Sequence, residues 1–244
     1  MIDADGASRQ PDNIELLDFF RVIAARDPSA VSICVDELPG LAGTAIRIGA
    51  TRTDAVDYFL TEIRHYVYRG DTGLHIASAA YQRPTAALLL ANGAHIRARN
   101  RRGAEPIHYA ADGSPGGAHW NPQAQRSIIE YLIEMGADAD ARDNSGVAPL
   151  HRAVRTRCSA AVRALLDNGA DPKLMNGRGS TPLHLAVQGT GRGDSGSAAA
   201  KAEQEQIIAL LRQHGATPKD TDTRGKSVTA AASSDWIRML LDAG

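Results

Sequence analysis

The sequence predicts an all-α fold, a solenoid of short helix–turn–helix units stacked in a row. Three observations predict it. An eight-residue pattern, Gly-x-x-Pro/Gly-Leu/Ile-His-x-Ala, recurs at Gly70–Ala77, Gly103–Ala110, Gly146–Ala153 and Gly179–Ala186; a fifth copy, Gly225–Ala232, keeps the glycine and small residues but loses Pro and His. Each unit closes on a glycine followed by alanine, at Gly93, Gly136, Gly169 and Gly215. The spacing is regular. From each closing glycine to the next motif position (His108, His151, His184, Ala230) is 15 residues, and His75 to Gly93 and His151 to Gly169 are each 18, a period of 33. A fixed period of this size is the signature of a repeat array, whose units cannot bury their apolar faces alone.

Taken in order, residues 1–12 read as a flexible N-terminus. Leu16–Ala25 reads as a first helix and Pro28–Val35 as a second; Ala45–Ala50 and Ala55–Leu60 read as another helix pair. Residues 13–69 are therefore two divergent repeats, the first capping the array, with a small unrelated helical subdomain as the alternative. From 70 to 244 each motif opens a first helix. Thr72 and Thr181 stand where an N-cap hydroxyl satisfies free amides, and Pro at the first helical position lacks an N–H that would be unpaired anyway. Second helices carry apolar stripes at i, i+3, i+4: Ile128/Ile129/Leu132/Ile133, Val162/Leu165/Leu166 and Ile207/Leu210/Leu211. The closing glycines suit the left-handed conformation that follows a helix. His108 to Gly136 is 28 residues and His184 to Gly215 is 31, so these units carry 10 and 13 extra residues, near 113–122 and 189–201. A short C-terminal cap completes six to seven repeats, the divergent N-terminal units included.

The motif resembles the T-P-L-H-x-A signature of the ankyrin repeat, and the period matches that family from about Gly70 to the end of the chain. The resemblance implies a hairpin turn followed by two antiparallel helices, stacked into a curved ankyrin-repeat solenoid. It also implies a partner-binding protein, since relatives serve as scaffolds, inhibitors, toxin-neutralising partners and secreted effectors.

Composition narrows the class. The 244 residues are 43% hydrophobic and 23% charged with net charge −1, which excludes a disordered or collagen-like chain and argues against a strongly cationic nucleic-acid binder. No apolar run reaches the ~18 residues of a membrane span. Two cysteines, Cys34 and Cys158, are too few for a disulfide framework and fit a reducing compartment. The first residues show no secretory leader. A cytoplasmic monomer is the expectation, with secretion as an effector left open.

No motif carries catalysis. His75, His108, His151 and His184 are equivalent residues of successive units, about 8–10 Å apart, whereas one zinc holds its ligands at about 2 Å; they read as structural, bonding neighbouring backbone. Gly191-x-Gly193-x-x-Gly196 follows a helix, not the strand a dinucleotide site needs. Arg-Gly-Asp at 69–71 and 192–194 is too short to weigh. Arg157 beside Cys158 lowers a thiol's pKa in principle, yet a lone cysteine is more often packing. No metal or cofactor is expected.

Charge is the stronger signal. Arg97, Arg99, Arg101, Arg102, Arg142, Arg152, Arg155, Arg178, Arg224 and Lys226 fall on hairpin tips and first helices, and many acids fall on second helices. If the family geometry holds, the concave face is basic and fits an acidic or phosphorylated segment of a partner protein. Ile76, Tyr109, Arg152 and Leu185, each following the motif position of His, mark the variable stripe of that face. Asp71, Arg101, Arg102, Arg142, Arg155 and Arg178 flank it, and Trp120 is an anchor candidate in the first insertion. Two alternatives stand beside this: an enzyme or small-ligand binder with a pocket under the His119/Trp120 insertion and Asp112 as its acid, and nucleic-acid binding through the Arg97–Arg102 tip.

Overall fold

The computed structural model describes residues 9–113, 115, 117, 120–189 and 196–242. The chain divides into two compact units, Met1–Ala110 with Tyr131–Ala137, and Ala111–Glu130 with Asp138–Gly244.

The first unit opens with α1 (Asn13–Ala24), whose start is fixed by a capping box. Asp12 accepts from the Glu15 amide, and the Glu15 carboxylate accepts from the Asp12 amide. Pro28 begins α2 (Pro28–Glu37) behind the N-cap Asp27, and α3 (Gly40–Gly43) is a single turn. The motif then forms α4 (Gly73–Ala79), followed by α5 (Arg83–Ala91). Helix α4 packs on α1, α3 and α5, which buries it from Gly73 to Ser78.

The helix pair expected over 45–60 is not formed. The amide of Ile46 donates to Asp71 O and its carbonyl accepts from Gly70 N, and Ala50 N donates to Val67 O. The segment therefore runs extended along residues 67–71. Gly49 permits the approach, because a Cβ there would lie 2.5 Å from Arg69 N. After one 3₁₀ turn (Val56–Tyr58), β1 (Phe59–Leu60) and β2 (His65–Tyr66) pair antiparallel, Phe59 opposite Tyr66 and Leu60 opposite His65. Aromatic residues facing across a tight turn favour a hairpin over a helix, so the divergent segment adds a small β element to an otherwise helical fold.

Helices α6 (Pro106–Ala111) and α7 (Pro122–Glu134) contribute residues to both units. The second unit continues with α8 (Pro149–Arg155), α9 (Ser159–Asp167), α10 (Pro182–Ala186), α11 (Ala198–Gln213), α12 (Val228–Ala231) and α13 (Asp235–Asp242). Within it α8 packs on α9 and α10, and α11 on α9 and α10, so each motif helix meets its own second helix and the next motif helix. Val162, Leu165, Ile207 and Leu211 lie in this core with no more than 1% exposure. The closing glycine Gly169 has φ +89° and open space around its α-carbon; conformation, not crowding, selects glycine there.

The insertions differ in kind. Trp120 donates its indole N–H to Gln125 Oε1 (2.8 Å), and Gln125 Nε2 donates to Asp112 O (3.2 Å), closing the base of the first. The second lies near 189–201, with a loop expected from Gly189 to Ser197; the chain is helical from Ala198, so the last part of the extra sequence lengthens α11. Ser197 caps that helix through Ala200 N, and Gln204 Nε2 ties it to the carbonyls of Ala186 and Gln188. His119, residues 190–195 and residues 1–8 lie outside the described residues, and with them most of the Gly-x-Gly-x-x-Gly match and the second Arg-Gly-Asp.

Candidate interaction surface

The hairpin turns place the charged residues, and one repeated side chain builds each turn. Asn100, Asp143, Asn176 and Asp222 stand eight residues before their motif positions. Each accepts through Oδ1 from the amides two and four residues on: Arg102 and Ala104, Ser145 and Val147, Arg178 and Ser180, Arg224 and Lys226, at 2.8–3.1 Å. Such a side-chain acceptor replaces a backbone partner in a tight turn. The residue two places on is therefore held at the tip, and in three of these four turns it is an exposed arginine: Arg102, Arg178 and Arg224. None of these three forms an ion pair among the described residues. The Asx position was a readable sequence signal, at constant offset from the motif, that charge counting overlooked.

The motif histidines knit adjacent repeats. His75 Nδ1 accepts from Thr72 N (3.1 Å) while Nε2 faces Ala104 O (3.1 Å); His151 Nδ1 accepts from Ala148 N (3.2 Å) while Nε2 faces Ser180 O (3.2 Å). An Nδ1 that accepts leaves the proton on Nε2 for the next repeat's carbonyl, so the neutral tautomer is the one required. Burial pulls His151 below its ordinary 6.5, assisted by Arg142 and opposed by hydrogen bonds to Ser180 and Leu174. A depressed histidine value means stability is fully present above pH 6.5 and declines as pH falls toward the folded value. Replacing His151 with glutamine is expected to flatten that decline in unfolding midpoints recorded from pH 7 down to about pH 5; an unchanged slope would contradict it.

In the first unit the expected contact residues Asp71 and Tyr109 are interior. Asp71 has no exposed surface and Tyr109 is 2% exposed. Asp71 Oδ1 accepts from Asn100 Nδ2 and Tyr109 OH (both 2.8 Å), and Oδ2 from Tyr68 N (2.7 Å). Ile76 is fully buried within α4. These three support the surface and cannot meet a partner. What stands outside is a guanidinium group over Tyr68: Arg102 Cζ lies 3.9 Å and Arg101 Cζ 5.3 Å from the ring centroid. Arg101 also donates to Ala50 O (2.6 Å), and its amide bonds Arg69 O. Tyr68 and Arg69 were not expected at the site; only the fold brings them beside 101 and 102. Arg97 and Arg99 are turned onto the carbonyls of Gly136 and Gly103, so the Arg97–Arg102 run is not one uniform basic stripe.

In the second unit Arg152 is also a structural residue, with its side chain 11% exposed. It bonds Asp112 Oδ2 (2.8 Å) and Asp143 Oδ2 (3.1 Å), which commits the carboxylate assigned as acid in the enzyme alternative. Arg142, Arg155 and Arg178 are exposed, and Leu185 and Trp120 are half-buried. Burial pushes the Cys158 thiol up to about 12, so Arg157 does not activate it. No group of three or more potential metal-ligating side chains is gathered among the described residues, and none of their helices is long and apolar enough to cross a membrane.

Closed hairpins, paired short helices and histidines bridging one repeat to the next define a helical repeat protein. The family model for ankyrin repeats (three copies) matches residues 74–176 and 119–195, and the chain belongs to the ankyrin repeat family. A search of curated proteins found no match. Ankyrin repeats are generally modules for binding other proteins and typically carry no catalysis.

Proposed function

We propose that this protein binds acidic segments of a partner protein through the exposed arginines on its hairpin turns, at Arg102 in the first unit and, separately, at Arg178 and Arg224 in the second. The observation that supports this most is their shared state: each is exposed, lacks an ion pair among the described residues and is set by an Asx side chain at its base. A guanidinium held this way keeps its forked donors for a carboxylate. Arg142 and Arg155 extend the surface in the second unit. The protein acts as a monomeric adaptor in the cytoplasm in this reading.

The test compares the wild-type chain with Arg102→Glu and with Arg178→Glu/Arg224→Glu on the partner obtained by affinity capture. Surface substitutions of this kind change stability by only about 0.5 kcal/mol, so folding is retained. Reversal is expected to weaken binding about tenfold or more and to reduce its salt dependence. Unchanged affinity in both folded variants would reject the reading. Arg152 is unsuited to the test, because reversing it strikes the interior.

A further inference from the structure

We propose that the arginines around Tyr68 form a phosphate-selective subsite that takes a phosphorylated side chain of the bound segment; this rests on the acidic-partner reading above. Tyr68 is half-buried, and its amide is fastened to the buried Asp71 carboxylate. The ring is thus a fixed platform. Arg102 lies over it at 3.9 Å, Arg101 at 5.3 Å, and Arg101 is pinned by its bond to Ala50 O. Arg69, exposed, joins the backbone of Arg101 directly.

Stacking engages the face of a guanidinium and leaves its in-plane N–H donors for an anion. Arg69 and Arg102 form no ion pair among the described residues, and the Asp71 oxygens face Asn100, Tyr109 and the Tyr68 amide. Cations gathered over one ring repel each other. A carboxylate offers one negative charge and two oxygens to offset this, whereas a phosphomonoester offers about −1.5 to −2 and three acceptor oxygens. The cluster is compact and matches one dianion. A nucleic-acid strand presents single charges in series and needs open aromatic faces for its bases, but the Tyr68 face is covered by arginine.

Fluorescence anisotropy at about 150 mM salt on the full chain tests this with three labelled peptides. They are Glu-Glu-X-Glu-Glu with X as phosphoserine, glutamate or serine. The phosphoserine peptide is expected to bind at least about tenfold tighter than the glutamate peptide. Tyr68→Leu and Arg102→Gln should erase that preference. Tyr68→Phe should keep it, because the ring and not the hydroxyl carries Arg102. Equal binding of the phosphoserine and glutamate peptides overturns phosphate selection and leaves the acidic-segment reading intact. No binding of any peptide rejects both. Displacement by a random single-stranded oligonucleotide as effective as by the phosphopeptide shows a phosphodiester site and also overturns the proposal.

Discussion

Replacing Asp71 with alanine is expected to unfold or severely loosen the first unit, with a loss of about 3–5 kcal/mol, given that hydrogen bonds to a charged group are worth about 1.5–3 each and stranded buried donors add their desolvation cost. The carboxylate sits at the base of the 100–104 hairpin and receives Asn100 Nδ2, Tyr109 OH and the Tyr68 amide. The Tyr68 amide would lose this acceptor, and Asn100 Nδ2 and Tyr109 OH, which also bond each other, would lose the charge they share. Asp71→Asn keeps the shape but turns an N–H₂ toward one of those donors, so it should cost a substantial part of the same amount. Tyr109→Phe removes the hydroxyl donor together with its need for an acceptor, and Asn100 Nδ2, which also donates to that hydroxyl, keeps Asp71, so it should cost only about 1 kcal/mol. Chemical denaturation of the three variants checks the order. Hydrogen exchange at the Tyr68 and Arg101 amides should speed up in Asp71→Asn before global unfolding. A melting curve for Asp71→Ala that overlays the wild type would mean that Asp71 does not organise this hairpin.

The repeats were legible because they rest on local chemistry. Gly169 ends a helix in a left-handed residue, Pro149 and Pro182 start one, and His151 reaches a fixed neighbour, so each leaves its mark at constant spacing. The site was less legible. Ile76, Tyr109 and Arg152 occupy the position that varies from repeat to repeat, and variation looks the same for a free surface residue as for one fitted to an individual buried partner. Tyr109 varies because it meets Asp71, 38 residues away, and Arg152 because it meets Asp112, 40 residues away. Neither partner is visible at repeat spacing, since Asp71 and Asp112 are not equivalent residues of their units. The extended course of 45–50 was hidden for a similar reason. Two isoleucines, Ile46 and Ile48, in six residues are too short a pattern to separate a helix from a strand, and only the chain at 67–71, which accepts it as a neighbour, decides.

Arg152 sets the corresponding expectation for the second unit. Its guanidinium lies between Asp112 and Asp143, whose side chains are 26% and 9% exposed. Burial pushes the Asp143 carboxyl up, but the amides of Val147 and Ser145 together with Arg152 outweigh it and hold the group below the usual carboxylate range. Arg152→Met keeps the volume but takes the charge partner from the largely buried Asp143 and leaves Asp112 to the more distant Arg155 at 4.0 Å, which is expected to cost about 3 kcal/mol at neutral pH; Arg152→Glu adds a third carboxylate and should prevent folding of the unit. A depressed carboxylate contributes stability above its unfolded value near 3.8 that is lost as pH falls through the lower folded value. Wild type should therefore lose stability in that acid window. The gap between it and Arg152→Met should narrow there, because protonating Asp143 removes a charge that Arg152 neutralises. Adding Asp143→Asn to Arg152→Met should restore part of the loss for the same reason, and since Asp112 also closes the first insertion through Gln125, the restored variant should regain a half-buried Trp120 by fluorescence. A gap between wild type and Arg152→Met that persists undiminished at about pH 3, or a double variant no better than the single, would show that Arg152 acts by packing its stem and not by balancing the two acids.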